Sequence, residues 1–238
     1  MPKVIFTAIN SYGQDVTMKP HPAYKSIPKW WKDMKPFNDT GFGNKLTINN
    51  GINNLSPKAC IPMLDSLSSG YVVPLWTDIQ IVNNDSTGNK PVILWKNEID
   101  VFESNTSFSS KVETPDGFFA ETVKFINHWM MTTPSGYSTI IQHPSGYQNT
   151  PLKVVPAIVD TDRYNARLIF PMWIKNDFEG IVKKGTPLVQ LIPFKRESWS
   201  SEYKSLPDGE YYKLEEKGIK SKLSGYYKNF NWSKKEYR

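Results

Sequence analysis

The chain has one cysteine, Cys60, in 238 residues, so no intrachain disulfide can staple it. Histidine is almost as scarce: His21, His128 and His143 are the full set. With no HExxH or paired Cys spacing, a zinc site of the usual kind is excluded, and we expect neither metal nor cofactor. No apolar run approaches the ~18 residues that a membrane helix needs. The opening MPKVIFTAI is too short an apolar run for a secretory signal. We therefore expect no membrane partner, and a location in a host cytoplasm or a virion. Cys60 lies in the apolar run KACIPML and is expected to be a buried small hydrophobe.

Positive charge is present but unevenly spread. The net charge is +6, and Gly218 to Arg238 alone carries six positive side chains against Glu236, a balance of +5. The body is almost neutral, so the basic balance reports a tail and not a basic face. Nucleic acid is expected as a partner only through that tail, where Tyr226, Tyr227, Phe230, Trp232 and Tyr237 accompany the lysines. The favoured alternative is that the tail docks, aromatics inward and lysines outward.

What is abundant points to strands. Eight Trp, twelve Tyr and twelve Phe favour extended structure, and eighteen Pro with fourteen Gly imply many turns. We expect a mainly β chain: an antiparallel sandwich or distorted barrel with a few short peripheral helices. A single β-rich domain over 1–238 would comprise a strand-and-helix cap (1–70), a β core (71–196) and a basic aromatic extension (197–238).

In chain order, Lys3–Asn10 reads as a strand. Ser26 and Pro28 open a short helix carrying Trp30, Trp31 and Met34, expected to plug one end of a β core. Asn38–Asn54 is a loop, and Thr40-Gly41-Phe42-Gly43 in it is a weak phosphate-loop look-alike. Ser56-Pro57 opens a second helix ending at Gly70. The period then changes to two. Tyr71–Val82 reads as one strand, Asn83–Lys90 as a hairpin loop and Pro91–Trp95 as the return. Asn97–Asp116 is a polar excursion. Val123–Met131 and Tyr137–His143 form a hairpin around TPSG, which would set His128 nearly opposite Gln142. Val154–Val159 and Ala166–Ile174 pair around DTDRYN, followed by strands at Phe178–Val182 and Leu188–Phe194. Ser198–Leu206 and Tyr211–Leu223 read as helices. Asp65, Asp78 and Glu98 are isolated and solvated.

Two segments carry a resemblance. AIVDTDRY at Ala157–Tyr164 and GTPLVQLI at Gly185–Ile192, with twenty-five residues from Asp160 to Gly185, resemble the core motifs of the trimeric dUTPase and dCTP-deaminase family. The resemblance implies a dUTPase-like β-clip core, a homo-oligomer and a small phosphorylated ligand. Asp160 would align with the carboxylate that activates water or holds the sugar. Ser145 and Gly146 would occupy the place of the phosphate loop, Asp162 would flank the site, and Tyr164 would lie near the sugar-stacking aromatic. Gln190 would face a subunit contact. The chain departs from the pattern at Ala157, which replaces a glycine. It also lacks a Gly-rich C-terminal arm and the deaminase glutamate, for which Glu179 is the only nearby residue.

A longer set of strings, IPKWWKDM, CIPMLDSLSSGYVVPLWTDIQI, NHWMMTTPSGYSTIIQHP, IVDTD and FEGIVKKGTPLVQLIPFKRESW, covers about residues 20–202. It resembles an uncharacterised family of tailed-bacteriophage and some bacterial proteins, which implies a source and not a mechanism.

The residues leave four functions to weigh. The first is a non-catalytic binding or interaction protein that works through a pocket or an oligomer surface, with a small phosphorylated ligand or another protein as its partner. The second is a virion component, a head-decoration or tail-associated protein. The third is a nucleotide hydrolase or deaminase using Asp160. The fourth is a metal oxygenase using His128 and His143, whose alternative is two unrelated polar residues on a half-exposed sheet. For Asp160 and Asp162, the alternative to catalysis is a tight turn held by Asx hydrogen bonds.

Overall fold

A computed structural model of the chain describes residues 2–9, 11, 14, 18–35, 56–82, 91–96, 98–105, 111–216 and 227–238. The loop at Asn38–Asn54, the Asn83–Lys90 hairpin loop and the end of the second C-terminal helix lie outside the described residues. The chain divides into two compact units. One comprises 1–26, 69–196 and 237–238, the other 27–68 and 197–236.

The first unit is all antiparallel sheet. Its strands are β1 (Ile5–Ala8), β2 (His21–Pro22), β3 (Tyr71–Pro74), β4 (Ile79–Val82), β5 (Val92–Trp95), β6 (Phe102–Ser104), β7 (Phe118–Thr132), β8 (Tyr137–Gln142), β9 (Leu152–Val154), β10 (Ala157–Val159), β11 (Arg167–Lys175), β12 (Gly180–Val182) and β13 (Pro187–Lys195). One sheet runs β1-β7-β11-β9, with β6 also on β7. A second runs β10-β8-β13-β3-β2, and a third β12-β4-β5. The expected antiparallel β architecture holds, without a closed barrel.

Apolar side chains from all three sheets meet in one core. Phe125 on β7 stacks on Phe170 of β11 at 6.4 Å between ring centres, and both are fully buried. Leu188, Val189 and Leu191 of β13 face them from the second sheet, and Ile79 and Ile81 of β4 from the third. Removing this apolar area from water is the main drive of the fold.

Three expectations change, each because the chain changes sheet at a short break: one strand is two, one hairpin does not form, and one pairing forms only at its start. Tyr71–Val82 is two strands: β3 and β4 are separated by Leu75–Asp78 and belong to different sheets. β7 and β8 are not a hairpin; TPSG carries the chain from the first sheet to the second. Val154–Val159 likewise splits at Val155-Pro156. Met172 of β11 pairs with Val154 of β9, whereas β10 pairs with β8, Ala157 opposite Ile141. Proline, with no N–H to give a ladder, suits that exit. Two strands have no clear sequence signal: His21-Pro22 is too short to show a period, and Phe102–Ser104 sits inside a polar stretch.

Gly70 is required where β3 begins. Its φ is +74°, and a Cβ there would stand 2.0 Å from the Leu191 carbonyl oxygen on β13.

In the second unit lie the short α-helices α1 (Lys29–Asp33) and α2 (Ile61–Ser68), and residues 210–216 are helical as well, the start of the second helix expected there. Pro28, not Ser26, is the N-cap of α1, without a side-chain cap bond; the Ser26 hydroxyl instead meets His21 Nε2 at 2.7 Å. Ser56 caps as expected, accepting from the Lys58 N–H at 3.2 Å. The turn it caps is a separate 3-10 turn, Pro57–Ala59, and Cys60 joins this turn to α2 in extended conformation. That break changes the helical phase and leaves Cys60 exposed rather than buried.

Candidate functional site

The acidic pair sits in a polar clamp. Val159 of β10 pairs with Thr139 of β8, so Asp160 emerges beside Ser138, whose hydroxyl donates to Asp160 Oδ1 at 2.6 Å. The N–H groups of Arg163 and Tyr164 both donate to the Asp160 carbonyl at 2.9 Å, closing a tight turn. That turn points Asp162 back at the TPSG crossover, where its Oδ2 accepts the Gly136 N–H at 2.8 Å. Arg196, just past the end of β13, forks onto Asp162 at 2.8 and 2.5 Å. It also donates to the Tyr137 carbonyl at 2.9 Å and to Ser138 Oγ at 3.0 Å, and lies 3.2 Å from Asp160 Oδ1.

The two carboxylates differ in exposure. The Asp162 side chain is 4% exposed and that of Asp160 52%. The Arg196 guanidinium holds the Asp162 carboxyl well below the usual carboxylate range, aided by the Gly136 N–H. Beneath the clamp is a buried hydroxyl cluster: Thr161 Oγ1 lies 2.8 Å from both Thr133 Oγ1 and Thr139 Oγ1. The turn is therefore held by bonds to three other segments, not by Asx bonds of its own. Sequence reasoning misses Arg196. It lies 34 residues from Asp162, and only the sheet order brings it back.

Tyr164 leaves the clamp on its outer side, 45% exposed. It stands at an apolar groove of about 230 Å³ lined by Ile141, Val155, Ala157, Val159, Leu168, Ile169, Phe170 and Pro171. The groove runs where β10 and β11 diverge. β9 covers only Met172–Ile174 of β11, so Arg167–Phe170 have no strand on that side among those described. β10 has none beyond β8. Neither Arg163, which is exposed, nor Arg167, which is half-buried and 3.9 Å from Glu103 of β6, lines it.

Ser145 and Gly146 are at the opposite end of β8. The Ser145 N–H donates to Gln190 Oε1 at 3.0 Å. Gln190 is 1% exposed and its Nε2 donates to the Ser69 carbonyl at 2.8 Å. In this chain Gln190 thus ties internal segments together and does not face outward. His143 starts the same loop; its Nε2 is 2.8 Å from the Tyr147 carbonyl and 3.1 Å from Thr150 Oγ1. Its Nδ1 is buried without a partner.

His128 is on β7 in the other sheet, edge-on to Trp76 at 5.5 Å, with both ring nitrogens buried and unpartnered. Because β7 and β8 are not paired, His128 is not opposite Gln142. Burial lowers the pKa of both histidines; the Arg167 charge adds to this at His128 and the Lys153 charge at His143. Among the described residues no three His, Cys, Asp or Glu side chains gather as a metal set. The structure brings Asp160, Asp162 and Tyr164 together and leaves Ser145, Gly146, His143 and His128 elsewhere.

No family model matches the sequence, and no curated protein matches it. Among solved structures the chain is similar to the dUTPase of Staphylococcus aureus phage phi11. A point mutant of that enzyme matches with 17% identity and a TM-score of 0.26, over 47% of this chain and 99% of that one. A second phi11 dUTPase structure has 15% identity and a TM-score of 0.25, over 47% of this chain and 99% of that one. The dUTPase of Staphylococcus bacteriophage 80alpha, also a point mutant and bound to dUpNHpp, has 17% identity and a TM-score of 0.26, over 47% of this chain and 91% of that one. A likeness of that size assigns this chain no activity.

Asp65 and Asp78 are not the isolated carboxylates expected. Asp65 on α2 accepts from Trp232 Nε1 at 2.9 Å and Lys235 Nζ at 2.6 Å. Asp78 accepts the Lys184 N–H at 2.7 Å and lies 3.0 Å from Lys183 Nζ, which fixes the turn ahead of β13. The bonds to Asp65, with Tyr237 edge-on to Tyr71 at 5.9 Å, favour docking for the last residues of the tail.

Proposed function

We propose that the protein acts by binding and not by turnover, and that its binding surface is the apolar groove between β10 and β11. The observation that carries this is the engagement of the acidic pair. Asp162 is neutralised by Arg196, and Asp160 Oδ1 is shared by Ser138 and Arg196. A general base needs a carboxylate free to take a proton near the working pH; an arginine fork opposes protonation. The groove supplies what binding needs: apolar walls and an aromatic, Tyr164, among them.

The chemistry of the walls favours a partner with apolar or aromatic side chains. A small phosphorylated ligand would have to keep its charge outside these apolar walls. The test uses an apolar fluorophore, anilinonaphthalene sulfonate, on folded protein. We expect saturable binding that Ile169→Glu weakens about tenfold or more, without loss of fold. Ile169 is 37% exposed, so the variant is tolerated. Equal binding by wild type and Ile169→Glu contradicts the reading.

A further inference from the structure

We propose that residues 227–238 are a binding strap for single-stranded nucleic acid, and that Asp65 holds the strap shut by standing in for a phosphate. No residue of the strap lines the groove, so this surface goes beyond the reading above.

The first observation is composition. Residues 227–238 carry Lys228, Lys234, Lys235 and Arg238 against Glu236, a balance of +3, with Tyr227, Phe230, Trp232 and Tyr237 set among them. Cations interleaved with aromatics suit a chain that offers phosphates and open base faces together. A duplex keeps its bases inside the stack. A lipid surface calls for a long amphipathic helix, and here only Tyr227–Asn231 is helical.

The second is accessibility. Every residue of the strap except Trp232 and Tyr237 is exposed. Phe230 is 74% open and Tyr227 38%. Rings kept in water beside lysines are platforms on which bases can stack.

The third is the way the strap is held. Asp65 Oδ2, on α2, accepts both the Trp232 Nε1–H, at 2.9 Å, and Lys235 Nζ, at 2.6 Å. An anionic oxygen that takes a lysine is what a phosphate also supplies. While both bonds hold, Lys235 is engaged and Trp232 is tied to α2. The hold is one that a polyanion can displace. Solvent reaches 45% of the Lys235 side chain and 17% of the Asp65 side chain, and water and salt weaken such a pair. A strand with many phosphates then competes with one carboxylate. Tyr237, edge-on to Tyr71 at 5.9 Å, keeps the end of the strap anchored.

The test reads the anisotropy of labelled oligothymidylate, about 20 nucleotides long so as to exceed a site of this kind. The proteins are full-length wild type, Asp65→Ala, and Asp65→Ala combined with Phe230→Ala/Trp232→Ala or with Lys234→Gln/Lys235→Gln. Alanine suits the helix that Asp65 leaves. Trypsin cleavage at Lys234 and Lys235 reads release of the strap independently. We expect Asp65→Ala to be cut faster and to bind about tenfold tighter than wild type, because a closed fraction lowers apparent affinity. Loss of the two rings should weaken binding about tenfold or more. Loss of the two lysines should flatten the slope of log K against log salt by roughly 1.4. No binding by any form, equal binding by wild type and Asp65→Ala, cleavage that Asp65→Ala does not hasten, or binding indifferent to the rings each overturns the proposal. Tighter binding to phosphatidylserine vesicles than to the oligonucleotide also overturns it and makes the strap a membrane contact.

Discussion

The two ends of β8 make an instructive pair. At one end Ser138 and Thr139 meet Asp160, Thr161, Asp162 and Arg196. At the other Gln142, His143 and Ser145 meet Gln190, Tyr147 and Thr150. Both are polar knots that tie three or more segments. Gln190 is buried outright, but Asp160 keeps half its side chain in water and lies next to the groove. Polar residues near a sheet end therefore do not by themselves mark a site. What separates the two ends is what stands beside each: an apolar cleft with open strand edges, or the chain's own loop.

Breaking the Gln190 knot should have the largest effect. Gln190→Ala leaves a cavity and removes the acceptor of the Ser145 N–H and the donor to the Ser69 carbonyl. We expect a loss of about 3 kcal/mol or more, read as a melting point lower by roughly 6 °C or more for a chain of this size. A melting point within about 1 °C of wild type would mean the knot is dispensable.

Arg196→Met should come next. It leaves Asp162 nearly buried without its partner, yet solvent reaches 28% of the Arg196 side chain, so the drop should be smaller than for Gln190→Ala. Its signature is acid behaviour. The depressed Asp162 carboxyl stabilises the fold above its ordinary pKa, near 4, and that contribution is lost as pH falls below it. Arg196→Met should flatten the melting curve's dependence on pH below about 4.

The histidines act in a different window. Burial depresses His128 and His143, so the unfolded chain binds protons that the folded chain refuses. Stability should fall as pH drops below about 6.5. His128→Leu, which removes two unpartnered buried nitrogens, should reduce that slope. An unchanged slope would place the proton uptake elsewhere.

The groove and clamp are partly legible in the sequence. The short, nearly continuous apolar run LVQLI and the DTD turn are local signals, and both survive as a buried strand and a turn. Arg196 is invisible there because its role depends on β13 lying beside β8, and sheet order is a long-range property. The helix expected at 198–206 does not form: those residues take neither helix nor strand, and the Trp199, Tyr203 and Leu206 face that would drive it stays exposed and buries nothing. The hairpin through TPSG fails for another reason: a Pro-Gly turn can close a ladder or carry the chain between sheets, and nothing within four residues tells them apart.

Asp160→Asn should have the smallest effect on stability, within about 0.5 kcal/mol, since the amide keeps an acceptor for Ser138. It therefore separates catalysis from architecture without damage to the fold. The most direct measurement is phosphate or pyrophosphate release from dUTP and dCTP by wild type and Asp160→Asn side by side. We expect neither protein to exceed the blank. Release by wild type at about 1 s⁻¹ or faster, the low end for ordinary enzymes, abolished in Asp160→Asn with the melting point unchanged, would contradict the binding reading.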